Sequence, residues 1–455
     1  MWVASITLEN IKCFQRQEIS FVRSHKNRLD RAQPYYWITL LGENGVGKST
    51  ILQALALLLA GPEAAKELLP RPTGWVRDPT LLGKLTATLH KEDVDTGIYG
   101  EDKRRQNFSL SYIVTGSTAV EVGTAKDNQQ TYTEPALVEE PTKVLSWLRA
   151  NAFASGNHGW FAVGYGAFRR LTRLSQVIIP SLEQPKRSSN FFTQFNEDSS
   201  LSSFERWMVY LDYRLAKDSD DLEAQRMKKV GEEAIVKLLP GDVRIAGVTR
   251  EGMIEFLVDN QKVPTISLSD GFRSVIALAG DLIWRLLQAF PDLDDPTIAS
   301  GVVLIDELDI HLHPSWQQEI AGWLRQVFPH LQFFVATHSP LVAAGAGEDA
   351  LTLRLEVKDS RLQIMEISYS DLAADVDRTL KSPAFGLPST YSPHTEKKIQ
   401  RYHQLKRKNG DLADEEMQEY VQLQLFMKEV QPFGDRPAPD SLEARIDALL
   451  EERLP

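Results

Sequence analysis

Apolar positions recur along this chain with two different periods. Residues 3–8 alternate loosely and predict a strand, followed by a polar stretch to about residue 34. Tyr36-Trp37-Ile38-Thr39-Leu40-Leu41 is an aromatic and branched run, which predicts a second strand ending at a glycine-rich turn. Residues 49–60 are apolar almost all round, as in a buried helix. The character then changes. Pro70, Pro72 and Gly74 precede alternating stretches such as Phe108-Ser109-Leu110-Ser111-Tyr112-Ile113-Val114, so 62–130 reads as a β-rich insertion or lid. Residues 185–250 are polar and helix-biased, with helices expected over 204–216 and 220–239. A strand over 253–258 leads to a helix over 274–288, and short apolar runs at 301–305 and 331–336 predict buried strands. The last hundred residues predict helices over 395–408, 414–430 and 441–453, punctuated by Pro432, Pro437 and Pro439. A boundary near residue 370 divides an α/β head, 1–370, from a helical region, 371–455.

Composition narrows the class. Of 455 residues, 42% are hydrophobic and 25% charged, close to the average for globular proteins. The net charge of −11 argues against a surface built throughout for nucleic acid, though local basic patches leave room for such contacts. The single cysteine, Cys13, excludes an intrachain disulfide and any multi-cysteine zinc site, and fits a reducing compartment. The N-terminus lacks a basic segment before an apolar one. No run approaches the ~20 apolar residues of a membrane span. A cytoplasmic protein is the expectation.

Four motifs carry chemistry. Gly42-Glu43-Asn44-Gly45-Val46-Gly47-Lys48-Ser49, with Thr50 after it, is a complete P-loop between an expected strand and an expected helix. Its backbone N–H groups and the helix N-terminus would cradle phosphate oxygens. Lys48 would pair with the β- and γ-phosphates, and Ser49 would bind Mg2+. Val302-Val303-Leu304-Ile305-Asp306-Glu307 places two acids at the C-terminal end of a strand, where ligands of open α/β sheets collect. Asp306 would complete the Mg2+ shell, and Glu307 would be the base that polarises the attacking water. His338, in Ala336-Thr337-His338-Ser339-Pro340, ends the next strand and is placed to donate to a γ-phosphate. Ser269 and Gly271, in Leu268-Ser269-Asp270-Gly271-Phe272, form either a helix cap or an anion site serving a second protomer.

In this order the motifs resemble the ABC-type ATPases, nearest the SMC/RecF/OLD-like branch, whose acid loop runs on as here in Asp306-Glu307-Leu308-Asp309-Ile310-His311-Leu312-His313-Pro314. The resemblance covers about residues 1–345. It implies an ABC-type P-loop head with a mixed central sheet and flanking helices. It also implies ATP as the nucleotide, and head-to-head dimers or higher oligomers in which Ser269 and Gly271 contact the partner's γ-phosphate. Asp309 matches the loop that couples the two sites, and His338 the switch histidine. Two departures stand out: Asp270 replaces a glycine and Phe272 replaces Gln or Glu, which should slow hydrolysis. Gln176 and Gln194 are both candidates for the remaining glutamine.

Other features stay bland. His311 and His313, beside Pro314, read as structural rather than metal-binding. Arg169, Arg170 and Arg173, at or just beyond the end of Phe161-Ala162-Val163-Gly164-Tyr165-Gly166-Ala167-Phe168, read equally as contacts to phosphate or nucleic acid or as a solvated helix face. Lys406-Arg407-Lys408 reads as a solvated helix end. No heptads occupy the interval before Leu268, so no long coiled-coil arm is expected. Asp375-Val376-Asp377 is not on an expected strand, so no nuclease is expected in this chain.

A compact head with a helical tail is similar to the stand-alone ATPases of bacterial antiphage systems. The Septu ATPase subunits (PtuA-like, also found beside retrons) are nearest, with the PARIS ATPase second. That resemblance implies a nucleotide-sensing oligomeric scaffold regulating a separate effector, an HNH-type nuclease in the Septu case. Two alternatives remain: a RecF-like repair ATPase acting on duplex DNA, and a plain self-associating ATP-binding protein.

Overall fold

The computed structural model describes residues 1–429 apart from 24–32, 92–106, 117–119, 124–128, 133, 141, 154–159, 170–185, 197–200, 202, 240, 242, 250–251, 360, 375 and 409–412. The chain divides into two units, Met1–Glu366 and Ile367–Pro455.

The first unit is organised by a six-stranded sheet in the order Ala162–Tyr165, Gly301–Ile305, Leu331–Ala336, Trp37–Gly42, Leu351–Lys358, Arg361–Ile367. The first five strands are parallel. Because successive side chains point to opposite faces, Ile38, Leu40, Val302, Leu304, Phe334 and Ala336 enter one core. Trp37, Val303, Ile305, Phe333 and Val335 enter the other. Burial on both faces is why these segments read as unbroken apolar runs rather than alternating ones. Parallel register also aligns strand ends: Ile305 lies opposite Val335, and Ala336 opposite Leu40. The P-loop, the Asp306-Glu307 pair and His338 therefore emerge from one edge. This is the α/β P-loop head that the motifs lead one to expect.

A second sheet, wholly antiparallel, runs Leu137–Glu139, Asn107–Val114, Gly83–His90, Trp2–Ile11, Phe14–Ser20. Helix Lys48–Ala60 shares one core with both sheets, and eleven of its thirteen residues are buried. Its all-round apolar pattern follows from that position. Of the segment 62–130, expected to be β-rich, the described residues open with a helix, Pro62–Leu68. Its strands Gly83–His90 and Asn107–Val114 belong to the same sheet as Trp2–Ile11.

Helices Ser203–Lys217 and Leu222–Leu238 contribute to the other core with helix Asp270–Ala289. The expected helical segment ends in strand Arg244–Val248, which pairs with Ile254–Val258 and then Gln261–Pro264. Asp259 and Asn260 both take positive φ (48° and 62°), as a two-residue hairpin turn needs. This sheet delivers the chain to Ser269.

In the second unit Ser392 caps helix Pro393–Arg407, with proline at its first turn. Tyr402 stacks on Tyr420 of helix Asp414–Glu429 with centroids 5.4 Å apart, and Arg401 bonds Glu419 at 2.8 Å. Lys408 is held by Glu416, so the Lys406-Arg407-Lys408 cluster is partly neutralised at the helix end. Val376 and Asp377 lie on helix Val376–Lys381, where Asp377 takes bonds from Lys381 and Thr390. Asp375 and the helix expected over 441–453 lie outside the described residues. Among the described residues no helix is long and apolar enough to cross a membrane.

Candidate nucleotide site

Each P-loop glycine has its own reason. Gly42 (φ 148°), Gly45 (81°) and Gly47 (105°) take backbone conformations that L side chains rarely adopt. A Cβ on Gly42 would also meet the Leu355 carbonyl oxygen at 2.4 Å, and one on Gly47 the Cys13 Sγ at 2.6 Å. Gly47 is the N-cap of helix Lys48–Ala60, with no side chain capping it, so its first N–H groups are unoccupied by the protein's own caps. Asn44 and Ser49 are exposed at the loop, whereas Thr50 is buried beneath it.

Lys48 is the hub. Its Nζ donates to the carbonyl oxygens of Gly42 (2.8 Å) and Glu43 (2.9 Å) and lies 3.0 Å from Nε2 of His338. That Nε2 is 3.7 Å from Oε1 of Glu307. A lysine donor requires an Nε2 lone pair, hence a neutral ring protonated on Nδ1. Burial lowers the Lys48 pKa, against the opposing pull of Glu307, Asp306 and Asp309. Asp306 is shifted the other way. Burial raises its pKa, while Ser49, Lys48 and Arg169 favour the charged form. Its Oδ1 is buried without a hydrogen-bond partner among the described residues. An orphaned carboxylate oxygen beside a serine hydroxyl suits a hard, oxygen-seeking divalent cation, so these residues fit Mg2+.

The acid loop is locked from several directions. Glu307 sits at φ 52°, a left-handed conformation that costs an ordinary residue ~1–2 kcal/mol. Asp309 Oδ1 accepts from the Thr337 hydroxyl and from the His338 N–H, tying the loop to the end of strand Leu331–Ala336. Gln317 extends the tie: Nε2 donates to the Asp309 and Leu312 carbonyls, and Oε1 accepts from Ser339. His313 caps helix Pro314–Val327 by accepting from the Ser315 N–H. No cluster of three metal-ligating residues occurs among the described residues.

Lys48, Ser49, Asp306, Glu307 and His338 thus come together within one chain. Ser269 and Gly271 do not join them. Ser269 occupies the N-cap of helix Asp270–Ala289, yet its side chain caps no N–H. Gly271 faces the His311 carbonyl and the Trp316 ring; a Cβ there would lie 2.9 Å from that oxygen. Phe272 packs edge-on to Trp316 at 4.7 Å, which accounts for an aromatic at this position. Asp270 pairs at 3.3 Å with Arg273 and remains 74% exposed.

Three residues differ from expectation. Arg169 is on no solvated face: its guanidinium is buried against the Gly166, Asp306 and Glu307 carbonyls. Arg170 and Arg173 lie outside the described residues, as does Gln176. Gln194 is buried, with neither side-chain amide atom partnered among the described residues, and its main-chain carbonyl accepts from Gln53 of the P-loop helix. Cys13 touches the P-loop itself, with Sγ 3.4 Å from the Val46 oxygen, and burial raises its pKa. The glycine-rich run before Arg169 was the one available signal; nothing in the sequence marks Cys13 or Gln317.

A family model described as "AAA domain, putative AbiEii toxin, Type IV TA system" matches residues 38–344, from the P-loop strand through His338. The chain belongs to this AAA family. It is similar to the Septu protein PtuA of Bacillus mycoides (strain KBAB4), 26% identical over 408 residues, 89% of this chain and 47% of that one. It is also similar to the Retron Vc95 probable ATPase of Vibrio cholerae, 35% identical over 142 residues, 31% of this chain and 27% of that one. The chain spans less than half the length of these curated relatives. Among solved structures it is similar to the SmcHead bound to the C-winged helix domain of ScpA, at 15% identity and TM-score 0.48, covering 81% of this chain and 99% of that one.

Proposed function

We propose that this chain binds ATP with Mg2+ at the P-loop and hydrolyses it slowly between two paired copies. On this reading the nucleotide state of the assembly restrains or releases a separate effector nuclease in a bacterial antiphage complex. The observation that carries the reading is the convergence of Lys48 and His338 (3.0 Å apart) with the Glu307 carboxylate 3.7 Å from His338, beside an Asp306 oxygen that is buried without a hydrogen-bond partner among the described residues.

Backbone N–H groups of the loop and of the first helical turn would cradle the phosphates. Lys48 would exchange the Gly42 and Glu43 carbonyls for β- and γ-phosphate oxygens. Ser49 and Asp306 would hold Mg2+, which neutralises charge developing on the bridging oxygens. Glu307 would accept the proton of the attacking water, and His338 would donate a ring N–H to the γ-phosphate. Ser269 and Gly271 of a second copy would close the site, since in their own chain they stand apart from it. Asp270 adds a carboxylate where phosphate charge would lie, consistent with slow turnover. The similarity to PtuA and to retron ATPases supports the antiphage setting and a separate partner, for which an HNH-type nuclease is the proposal. Residues 371–455 would carry partner or oligomer contacts, and the chain itself would have no nuclease activity.

Steady-state ATP turnover with and without duplex DNA, measured beside nucleotide binding, tests this. Tight binding with slow but measurable turnover, indifferent to DNA, is expected. In Glu307→Gln, binding should persist and an ATP-bound dimer should accumulate. Brisk turnover stimulated by DNA would replace the scaffold reading with that of a RecF-like repair ATPase.

A further inference from the structure

Arg169 follows strand Ala162–Tyr165, the immediate parallel neighbour of Gly301–Ile305. Its side chain is only 5% exposed. Nη1 donates to the carbonyls of Gly166 (3.0 Å) and Asp306 (2.5 Å), and Nη2 to that of Glu307 (2.7 Å). The fork thus grips the main chain of both acids and leaves their carboxylates free for other work. The rest of the backbone here is held as well. The Asp306 N–H donates to the Tyr165 oxygen at 2.9 Å, and the Leu308 N–H to the Ala336 oxygen at 3.2 Å. The peptide between Glu307 and Leu308 is therefore pinned at both ends, its oxygen by Arg169 and its N–H by the neighbouring strand. Between these anchors Glu307 adopts φ 52°. Relaxing that angle toward the ordinary right-handed or extended region would swing the carboxylate away from His338.

We propose that Arg169 is a positioning residue for hydrolysis: it holds the left-handed turn at Glu307 that aims the carboxylate into the P-loop cluster. The inference rests on the ATPase reading above and deepens it. A planar fork can bond two successive carbonyls at once, whereas a lysine ammonium on a flexible stem is a point donor. Arg169→Lys therefore keeps the buried cation near Asp306, Glu307 and Asp309 while loosening the grip on the turn.

The test uses the full chain with Arg169→Lys, Arg169→Gln and Glu307→Gln, reading melting temperature, nucleotide affinity and turnover together. Arg169→Lys should melt close to the unaltered protein and bind ATP within about threefold of it, with KM following affinity. Its kcat should fall about tenfold or more, the scale expected when a catalytic group is slightly misplaced. Arg169→Gln should turn over more slowly still. A kcat loss at unchanged affinity and melting is what a merely structural arginine would not produce. Wild-type turnover in Arg169→Lys overturns the proposal, as does affinity falling in step with turnover. Loss of cooperative unfolding in both variants would make Arg169 a structural residue and overturn it as well. If Glu307→Gln turns over like the unaltered protein, the ATPase reading fails first, a result separable from the others because it does not involve Arg169.

Discussion

Two anion-ready regions of this molecule are built in opposite ways. At the P-loop, Lys48, Asp306, Glu307 and His338 are half-buried or buried, and each is held by at least one hydrogen bond through its side chain or main chain. At the start of helix Asp270–Ala289, Ser269 caps nothing and Asp270 is mostly solvent-exposed. The first region has its own lysine and acids and needs a ligand; the second has open N–H groups and needs something brought to it. A buried, preorganised cluster loses little by waiting for a small anion, because its groups are already desolvated and oriented. An exposed helix start gains little from an anion in water, where the attraction is screened. It becomes effective when a second surface excludes solvent. The proposed pairing of two copies would exploit this difference.

The largest effect should come from the buried side. Lys48→Ala should weaken ATP binding by two orders of magnitude or more, since on the proposed reading it removes a cation that meets the β- and γ-phosphates; isothermal titration would measure it. Retained binding would mean that the P-loop cluster is not the nucleotide site. Next, Ser269→Ala should leave monomer binding and melting temperature unchanged, because the hydroxyl makes no cap. It should cut turnover and ATP-dependent self-association about tenfold, on the scale of one lost donor to a transition-state oxyanion. A fall in melting temperature with normal turnover would return Ser269 to a structural role and collapse the contrast. Asp270→Gly removes an exposed carboxylate and its pair with Arg273, so turnover should rise a few-fold at low salt and less at high salt. The smallest effect concerns pH. Burial raises the Asp306 pKa, so its charged form is lost at a higher pH than that of an ordinary aspartate, near 3.9. Mg2+-dependent nucleotide binding should therefore fall off, as pH is lowered, before an unperturbed carboxylate would titrate. Asp306→Asn should abolish that dependence. Without ligand it should melt slightly higher at neutral pH, since it removes a charge whose burial opposes folding.

Much of this was legible before any coordinates. The P-loop helix, the Gly301–Ile305 and Leu331–Ala336 strands, and the paired tail helices lie close to where periodicity put them, because each pattern is local. The membership of the 62–130 strands in one sheet with the first strand was not legible, because the pairing of Gly83–His90 with Trp2–Ile11 joins segments some eighty residues apart, and alternation specifies a buried face without naming a partner. The helix at Ser269 begins earlier than its apolar stripe, since its first turn carries Asp270, Gly271 and Arg273 and is only partly buried.

The chemistry divides along the same line. Residue types alone determine the phosphate loop, because φ values of 81° and 105° at Gly45 and Gly47 call for glycine and a P-loop needs its lysine and hydroxyl at set offsets. The order of strands and acids likewise places Asp306, Glu307 and His338 at strand ends. Only tertiary structure decided that Arg169 would be a buried clamp rather than a surface cation, that Cys13 would lie against Gly47, and that Phe272 would rest on Trp316. Each of those facts depends on which distant backbone groups a side chain meets, and a linear pattern records what a residue can bond to but not what it is brought against.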